Sequence, residues 1–254
     1  MTGEKWTRDQ TIVAFNLYCK IPFNRVSSNH PEIIRIAKVI GRSPNSVKMK
    51  IGNFGSFDPE LKKKGIVGLT NTSKLDEEIW NEFNNNWAKL AFESEKLVAD
   101  FLNKTIEETA GIETFDLPIG KERESVVKTR VNQSFFRSSI LSSYNQSCCI
   151  TGLSVQDFLV ASHIIPWAID EKNRLNPRNG LCLSVIHDKA FDKGFITVTT
   201  DYKIKISSFL SEIKNDKVID EYFRKYDNKK IILPDKFLPE KKFIEYHNTK
   251  IFKK

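Results

Sequence analysis

Two histidines and an asparagine in the second half of the chain have types and a spacing that suit hydrolytic chemistry. Asn179 follows His163 by 16 residues, and His187 follows Asn179 by 8. An imidazole with a pKa near about 6.5 can accept a proton from water at neutral pH, and a second imidazole can bind a metal ion. An asparagine between them can orient a neighbouring group. These three residues are therefore the candidate catalytic set.

The segment 36–54 has the pattern of a helix-turn-helix. Ala37 is the small residue where two helices touch, Gly41 is the glycine of the tight turn, and Val47 is the apolar residue that seats the second helix. The second helix is then expected to expose polar side chains that can contact phosphates and base edges. This set is Asn45, Ser46, Lys48 and Lys50. A plain three-helix bundle with a solvated lysine face is the alternative.

Apolar periodicity predicts two further long helices with an irregular segment between them. Leu75–Leu102 contains neither Pro nor Gly and repeats apolar residues at steps of three and four, which predicts one continuous helix. Residues 104–120 mix charge, Gly and Pro, so a linker is expected there. A basic amphipathic helix is predicted after it, with a cationic face that could follow a phosphate backbone. That face carries Arg123, Lys128, Arg130 and Arg137.

The composition agrees with a folded protein that has a polyanionic partner. The chain has 40 Lys and Arg against 32 Asp and Glu, a net charge of +8, which fits nucleic acid or an anionic membrane surface. No run approaches the roughly 18 apolar residues of a membrane span, and the first ten residues do not resemble a signal peptide. We therefore expect a cytoplasmic protein with no membrane partner.

The four cysteines are expected to be reduced and buried. Cys148 and Cys149 are adjacent, and the chain contains no CxxC pair. Structural zinc sites are commonly built on such pairs, so a zinc clamp formed with Cys182 is the less favoured alternative.

The segment 149–194 resembles the HNH nuclease motif, also called the ββα-metal finger, in the form found in bacterial restriction-type endonucleases. The resemblance rests on the CITG start, the SHIIP run that contains His163, the NPRNGL run that contains Asn179, and the HDKAFDKG run that begins at His187. Several matched runs in the family's order make this a specific signal. With the preceding basic helix, the similarity extends over about residues 123–207.

The resemblance implies a role for each candidate residue. His163 would end the first strand of the finger and act as general base on a water molecule. Asn179 would lie in the turn before the second strand, where it would either hold the His163 ring or contribute to metal binding. His187 would start the short helix and bind a divalent ion, with Asp188 and Asp192 as further oxygen ligands.

One position departs from the widest form of the family pattern. Many HNH nucleases have Asp or His, a metal ligand, immediately before the general base, whereas this chain has Ser162. A neutral hydroxyl is a weak ligand, so either Asp192 or Asn179 is expected to compensate. Hard oxygen ligands favour Mg²⁺ or Mn²⁺, with Zn²⁺ and Ni²⁺ as further candidates.

We therefore expect an α+β protein with a helical domain over 1–103, a linker over 104–120 and an HNH nuclease domain over 121–254. The implied activity is metal-dependent hydrolysis of double-stranded DNA in restriction of foreign DNA, with a homodimer supplying one site per strand. Two alternatives stay open. One is a DNA-binding regulator whose HNH fold does not cut, and the other is a structure-specific nuclease or RNase.

Overall fold

The computed structural model describes residues 4–65, 72–113 and 118–253. The chain forms two compact units, Met1–Ser142 and Ser143–Lys254. Residues 114–117, part of the expected linker, lie outside the described residues, and the division into domains at 104–120 stays a prediction. None of the helices within the described ranges has both the length and the apolar character needed to cross a bilayer.

The first unit begins with three helices, and the second and third lie on either side of the turn predicted at Gly41. Helix α1 (Arg8–Lys20) starts with the capping box of Thr7 and Gln10. Helices α2 (Pro31–Val39) and α3 (Pro44–Phe57) each have Pro in the first turn, where its missing N–H costs no hydrogen bond. Gly41 lies in the turn between α2 and α3 with φ +67°, a left-handed conformation that glycine adopts without strain.

The predicted continuous helix over Leu75–Leu102 is wrong. The chain instead forms α5 (Lys74–Phe83) and α6 (Trp87–Leu102), after the short helix α4 (Pro59–Lys63). The break falls at three consecutive asparagines, residues 84–86. Asparagine favours caps and turns because its side chain competes for backbone hydrogen bonds. Both helices are amphipathic, which explains why the apolar period runs through the break.

Aromatic side chains from separate helices form the core of this unit. The rings of Phe15 in α1 and Phe54 in α3 stack with centroids 4.7 Å apart, and Trp80 of α5 lies 5.3 Å from Phe15. The short helix α7 (Ile106–Thr109) and the long basic helix α8 (Lys121–Ser143) follow. The predicted basic helix after the linker is thus present.

The second unit contains the small α+β motif that carries the candidate site. Strands β1 (Leu159–His163) and β2 (Gly180–Ser184) pair antiparallel, with Leu159 opposite Ser184 and His163 opposite Gly180. Helix α9 (Val185–Asp192) follows β2 directly and contacts both strands. This ββα arrangement and the helical N-terminal region confirm the α+β fold class.

The rest of this unit packs around the ββα motif. Strands β3 (Ile196–Val198) and β4 (Ile204–Ile206) form a second antiparallel pair. Helices α10 (Ser208–Glu212), α11 (Lys217–Tyr222) and α12 (Lys241–Lys250) follow. Gly194, just after α9, has φ +71°, and its carbonyl oxygen accepts a hydrogen bond from Lys253 N at 2.9 Å. A Cβ at this position would lie 2.1 Å from the Ile251 carbonyl oxygen, so only glycine fits there.

Candidate active site

His163 is the last residue of β1, and its ring is oriented by a backbone carbonyl. The ring Nε2 lies 2.9 Å from the carbonyl oxygen of Arg174. A carbonyl can only accept a hydrogen bond, so Nε2 carries the proton and the basic lone pair is on Nδ1. Burial lowers the pKa of His163, and the bond to Arg174 raises it by less. The ring is therefore neutral near neutral pH, as a general base must be.

The loop that supplies this carbonyl is held in place by Arg174 and Trp167. The Arg174 Nε donates to the Trp167 carbonyl oxygen at 2.8 Å, and the guanidinium lies 5.3 Å from the centre of the Trp167 ring. The Trp167 ring in turn meets the His163 ring edge-on, with centroids 5.6 Å apart. The imidazole thus lies against a loop whose own contacts fix its shape.

Asn179 positions the same loop from the other side. Its side chain is fully buried in the turn before β2, where the sequence placed it. The Oδ1 accepts a hydrogen bond from Ile165 N at 2.8 Å, and Nδ2 donates to the Ile165 and Asn173 carbonyl oxygens at 3.2 and 3.3 Å. Asn179 therefore orients the backbone that follows His163, and it does so with both ends of its amide.

Ser162, which precedes His163 in β1, lies near a carboxylate of α9. The Ser162 hydroxyl is buried and makes no hydrogen bond of normal geometry within the described part of the chain. Burial raises the pKa of Asp188, and the nearby Ser162 hydroxyl lowers it by less. Burial also raises the pKa of Asp192, and the negative charge of Asp188 one turn away raises it further. The half-buried Asp188 and the exposed Asp192 are thus one turn apart on α9, and the Ser162 hydroxyl of β1 lies near Asp188.

His187 lies in the first turn of α9, where Ser184 and Tyr222 contact its ring. It is 1% exposed. Its Nε2 lies 2.7 Å from the Tyr222 carbonyl oxygen and its Nδ1 lies 2.8 Å from the Ser184 hydroxyl oxygen. Burial lowers the pKa of His187, which favours the neutral ring, so Nε2 donates to the carbonyl and Ser184 donates to Nδ1. Both ring nitrogens are engaged in these hydrogen bonds, and the role of His187 as a metal ligand stays a prediction.

The side-chain oxygen atoms of Ser162, Asp188 and Asp192 are of the type that a hard divalent cation prefers. Within residues 4–65, 72–113 and 118–253, no three histidine, cysteine or carboxylate side chains are grouped so as to bind a metal ion. Asp188 and Asp192 still supply carboxylate oxygens, and the Ser162 hydroxyl is a buried oxygen without a satisfied bond. A site with few protein ligands suits Mg²⁺ or Mn²⁺, which keep several waters.

The cysteines Cys148, Cys149 and Cys182 are buried thiols.

The predicted DNA-contacting residues of α3 divide into two groups. Asn45 and Lys48 are exposed and Ser46 is half-buried. Lys50 is only 5% exposed, and its Nζ lies 2.5 Å from the Asp76 Oδ1 of α5. A lysine that is enclosed with its counterion cannot reach a DNA phosphate, so Lys50 is removed from the candidate interface.

The predicted cationic face of α8 is largely present. Lys128, Arg130 and Arg137 are exposed. Arg123 is half-buried, and its Nε donates to Glu107 Oε1 at 2.8 Å, a pairing that offsets its charge. Lys128 also lies over the Phe92 ring at 5.7 Å. Three of the four predicted side chains are thus placed to meet solvent or a polyanion.

Residues 148–199 match the family model of the HNH endonucleases. This range contains β1, β2 and α9, and with them Ser162, His163, Asn179, His187, Asp188 and Asp192. The chain therefore carries an HNH nuclease domain, the class of domain that the ββα fold and its histidine define. A comparison with curated proteins gave no match.

Two features of the site leave no signal in the sequence. The carbonyl oxygens of Arg174 and Tyr222, which orient His163 and His187, are backbone atoms that every residue type possesses. A third buried histidine, His247, was assigned no role from the sequence. Its Nδ1 lies 2.7 Å from Thr197 Oγ1 and its ring stacks on Phe191 at 3.7 Å, which joins α12 to α9.

Proposed function

We propose that this protein is a metal-dependent DNA endonuclease in which His163 is the general base. The observation that carries the proposal is a neutral imidazole, oriented by the Arg174 carbonyl, that directly follows Ser162, whose hydroxyl lies near the Asp188 carboxylate. A base must have a defined tautomer and orientation before it can take a proton from water. The Arg174 carbonyl supplies both for His163.

Asp188 and Asp192 are the proposed metal ligands, with the Ser162 hydroxyl as a third oxygen or as a contact to a metal-bound water. A bound Mg²⁺ or Mn²⁺ would neutralise charge that develops on the phosphoryl oxygens. Burial raises the pKa of both carboxylates, and the charge of Asp188 raises the pKa of Asp192 further; a cation bound by the two would offset that repulsion. His187 is assigned a positioning role, because it fixes the first turn of α9 against the Tyr222 carbonyl.

Double-stranded DNA is the proposed substrate. The exposed polar residues of α3 and the cationic face of α8 support this choice, together with the net charge of +8. A role in restriction of foreign DNA follows from the likeness to restriction-type enzymes. A homodimer would then place one site on each strand.

The test is nicking of supercoiled plasmid DNA by the full chain with Mg²⁺, with Mn²⁺ or with EDTA. His163→Ala should lower the nicking rate by about 10²- to 10⁴-fold, the usual contribution of a general base. Asp188→Asn and Asp192→Asn should each raise the metal concentration needed for half-maximal rate. The increase should be at least about 10- to 100-fold, which is the usual cost of losing a residue that only hydrogen-bonds a metal ligand. Asp157→Asn, an exposed carboxylate in the same unit, is the matched control and should cut like the native chain.

Equal nicking by the native chain and His163→Ala would refute the proposed mechanism. A second candidate, a DNA-binding regulator that does not cut, is favoured by Ser162 at a position where a metal ligand is usual. Tight DNA binding without nicking in the presence of either metal would establish that candidate. Cleavage of RNA or of branched DNA in preference to duplex would instead point to a structure-specific nuclease.

A further inference from the structure

A pocket of about 830 Å³ opens at the end of the ββα motif opposite His163. It lies where β1 begins and β2 ends, and the first turn of α9 and the end of α11 complete its walls. Its volume is within the range of about 300–1,000 Å³ that is typical of small-molecule sites. Nothing in the proposed cleavage reaction uses this space.

The walls of the pocket carry aromatic rings that solvent can reach. Phe158 is 54% exposed and Tyr222 is 43% exposed, although large apolar side chains are usually buried. Tyr226 adds a third ring to the lining. Exposed flat rings around a cavity suit a planar heteroaromatic ligand, because stacking on them is tolerant of the ligand's substituents.

The polar groups of the pocket have fixed hydrogen-bonding directions. Ser184 lines the pocket, and its hydroxyl proton is directed to His187 Nδ1. Its oxygen can therefore only accept a further hydrogen bond, as from an exocyclic amino group of a base. Lys225 is also part of the lining, and its Nζ lies 2.7 Å from Glu221 Oε2 and 5.2 Å from the Tyr226 ring centre. This exposed ammonium is paired with Glu221, a pairing that offsets most of its charge beside the aromatic walls.

The strand register places the pocket at a short distance from the proposed site of cleavage. Leu159 pairs with Ser184 at the pocket end of the sheet, and His163 pairs with Gly180 at the other end. Four residue steps along β1 span about 13 Å at about 3.3 Å per residue. The pocket end of the sheet is thus close enough to His163 for a nucleotide near a phosphate held there to reach it.

We propose that this pocket receives a single unpaired nucleobase of the DNA whose backbone is held at His163. The inference rests on the proposed function, since it takes DNA as the substrate. A base in the pocket would stack on Phe158 or Tyr222 and present its edge to Ser184. The enzyme would then favour DNA with a base that is already unpaired, because extrusion of a paired base costs a few kcal/mol.

The test compares the affinity of the full chain for two DNA duplexes of the same sequence, one fully paired and one with a single bulged base. Binding is measured by fluorescence anisotropy in EDTA, so the result does not depend on cleavage. The native chain should prefer the bulged duplex. Phe158→Ala and Tyr222→Ala should each weaken binding to it by about 5- to 150-fold, as expected for loss of one base–aromatic stack, with less than about a twofold change for the paired duplex.

Conservative variants separate stacking from general loss of packing. Tyr222→Phe keeps the ring and should retain the preference, whereas Phe158→Leu keeps apolar bulk and should lose it. Phe209→Ala removes a phenylalanine that is 58% exposed but does not line the pocket, and it should behave as the native chain. Thermal melting of each variant identifies any that fails to fold.

Three results would overturn the proposal. One is an unchanged preference in both Phe158→Ala and Tyr222→Ala, and another is an equal loss of affinity for the two duplexes. The third is a self-association, seen by analytical ultracentrifugation, that Phe158→Ala abolishes without any effect on DNA binding, since the pocket would then be an interface between two copies. A chain that binds the bulged duplex as expected but never nicks plasmid would instead refute the proposed function alone.

Discussion

Lys48 and Lys50 lie two residues apart in α3, and substitution of each should have a different kind of effect. Lys48 is exposed. Lys50 is 5% exposed and its Nζ lies 2.5 Å from Oδ1 of Asp76, which is fully buried. Asp76 also accepts a hydrogen bond from Asn53 Nδ2 at 2.8 Å. The pair is therefore part of the interior of the first unit.

The cost of losing Lys50 follows from the burial of its partner. Lys50→Met keeps the apolar stem but leaves the Asp76 carboxylate without a counterion in the protein interior. Removal of one member of a buried ion pair usually costs about 3–5 kcal/mol. For a unit of this size we expect the melting temperature to fall by roughly 10 °C or more. Lys50→Met combined with Asp76→Asn should recover much of this loss, because no charge is then left unpaired.

The assay combines urea unfolding with DNA binding at several salt concentrations. Lys48→Ala should leave the free energy of unfolding within about 0.5 kcal/mol of the native value. If α3 contacts DNA, it should also reduce the slope of log affinity against log salt by about 1. Normal stability of Lys50→Met, together with a reduced salt slope, would refute the reasoning, because Lys50 would then be exposed to DNA.

Three further predictions concern the second unit, with Gly41 of the first unit as a comparison. Gly194→Ala should lower the free energy of unfolding by about 3 kcal/mol, because the residue has a left-handed φ and its new Cβ would lie 2.1 Å from a backbone oxygen. Gly41→Ala has a similar φ but open space around the Cβ, so it should lower the free energy of unfolding by only about 1 kcal/mol. Equal losses in urea melts would contradict this. Burial lowers the pKa of His247 to about 4, so only the unfolded chain gains this proton as the pH falls from about 6.5 to about 4. The free energy of unfolding should fall by about 3 kcal/mol over that window, and urea melts of His247→Gln, a side chain that does not titrate, should show a smaller slope. Asn179→Ala should cost about 1–3 kcal/mol and also slow plasmid nicking, because the loop that holds the Arg174 carbonyl loses its anchor; native nicking by a well-folded variant would be the contrary result.

The sequence determined the local structure of the site. The runs around His163, Asn179 and His187 predicted a strand, a turn and a short helix in that order, and the structure has β1, the turn before β2 and α9 at those positions. The caps at Thr7 and Ser43 and the prolines of the first turns were also readable. These features depend on residues within a few positions of one another, so spacing along the chain is enough to predict them.

The tertiary structure decided which side chains are available for function. Lys50 is removed from the candidate DNA surface by Asp76, which lies 26 residues further along the chain. His187 is closed off by the Tyr222 carbonyl, 35 residues away. These partners are distant in sequence, and one of them is a backbone atom, so no pattern of residue types marks them. The hydrogen-bond partners of His187 could therefore be identified only from the tertiary structure.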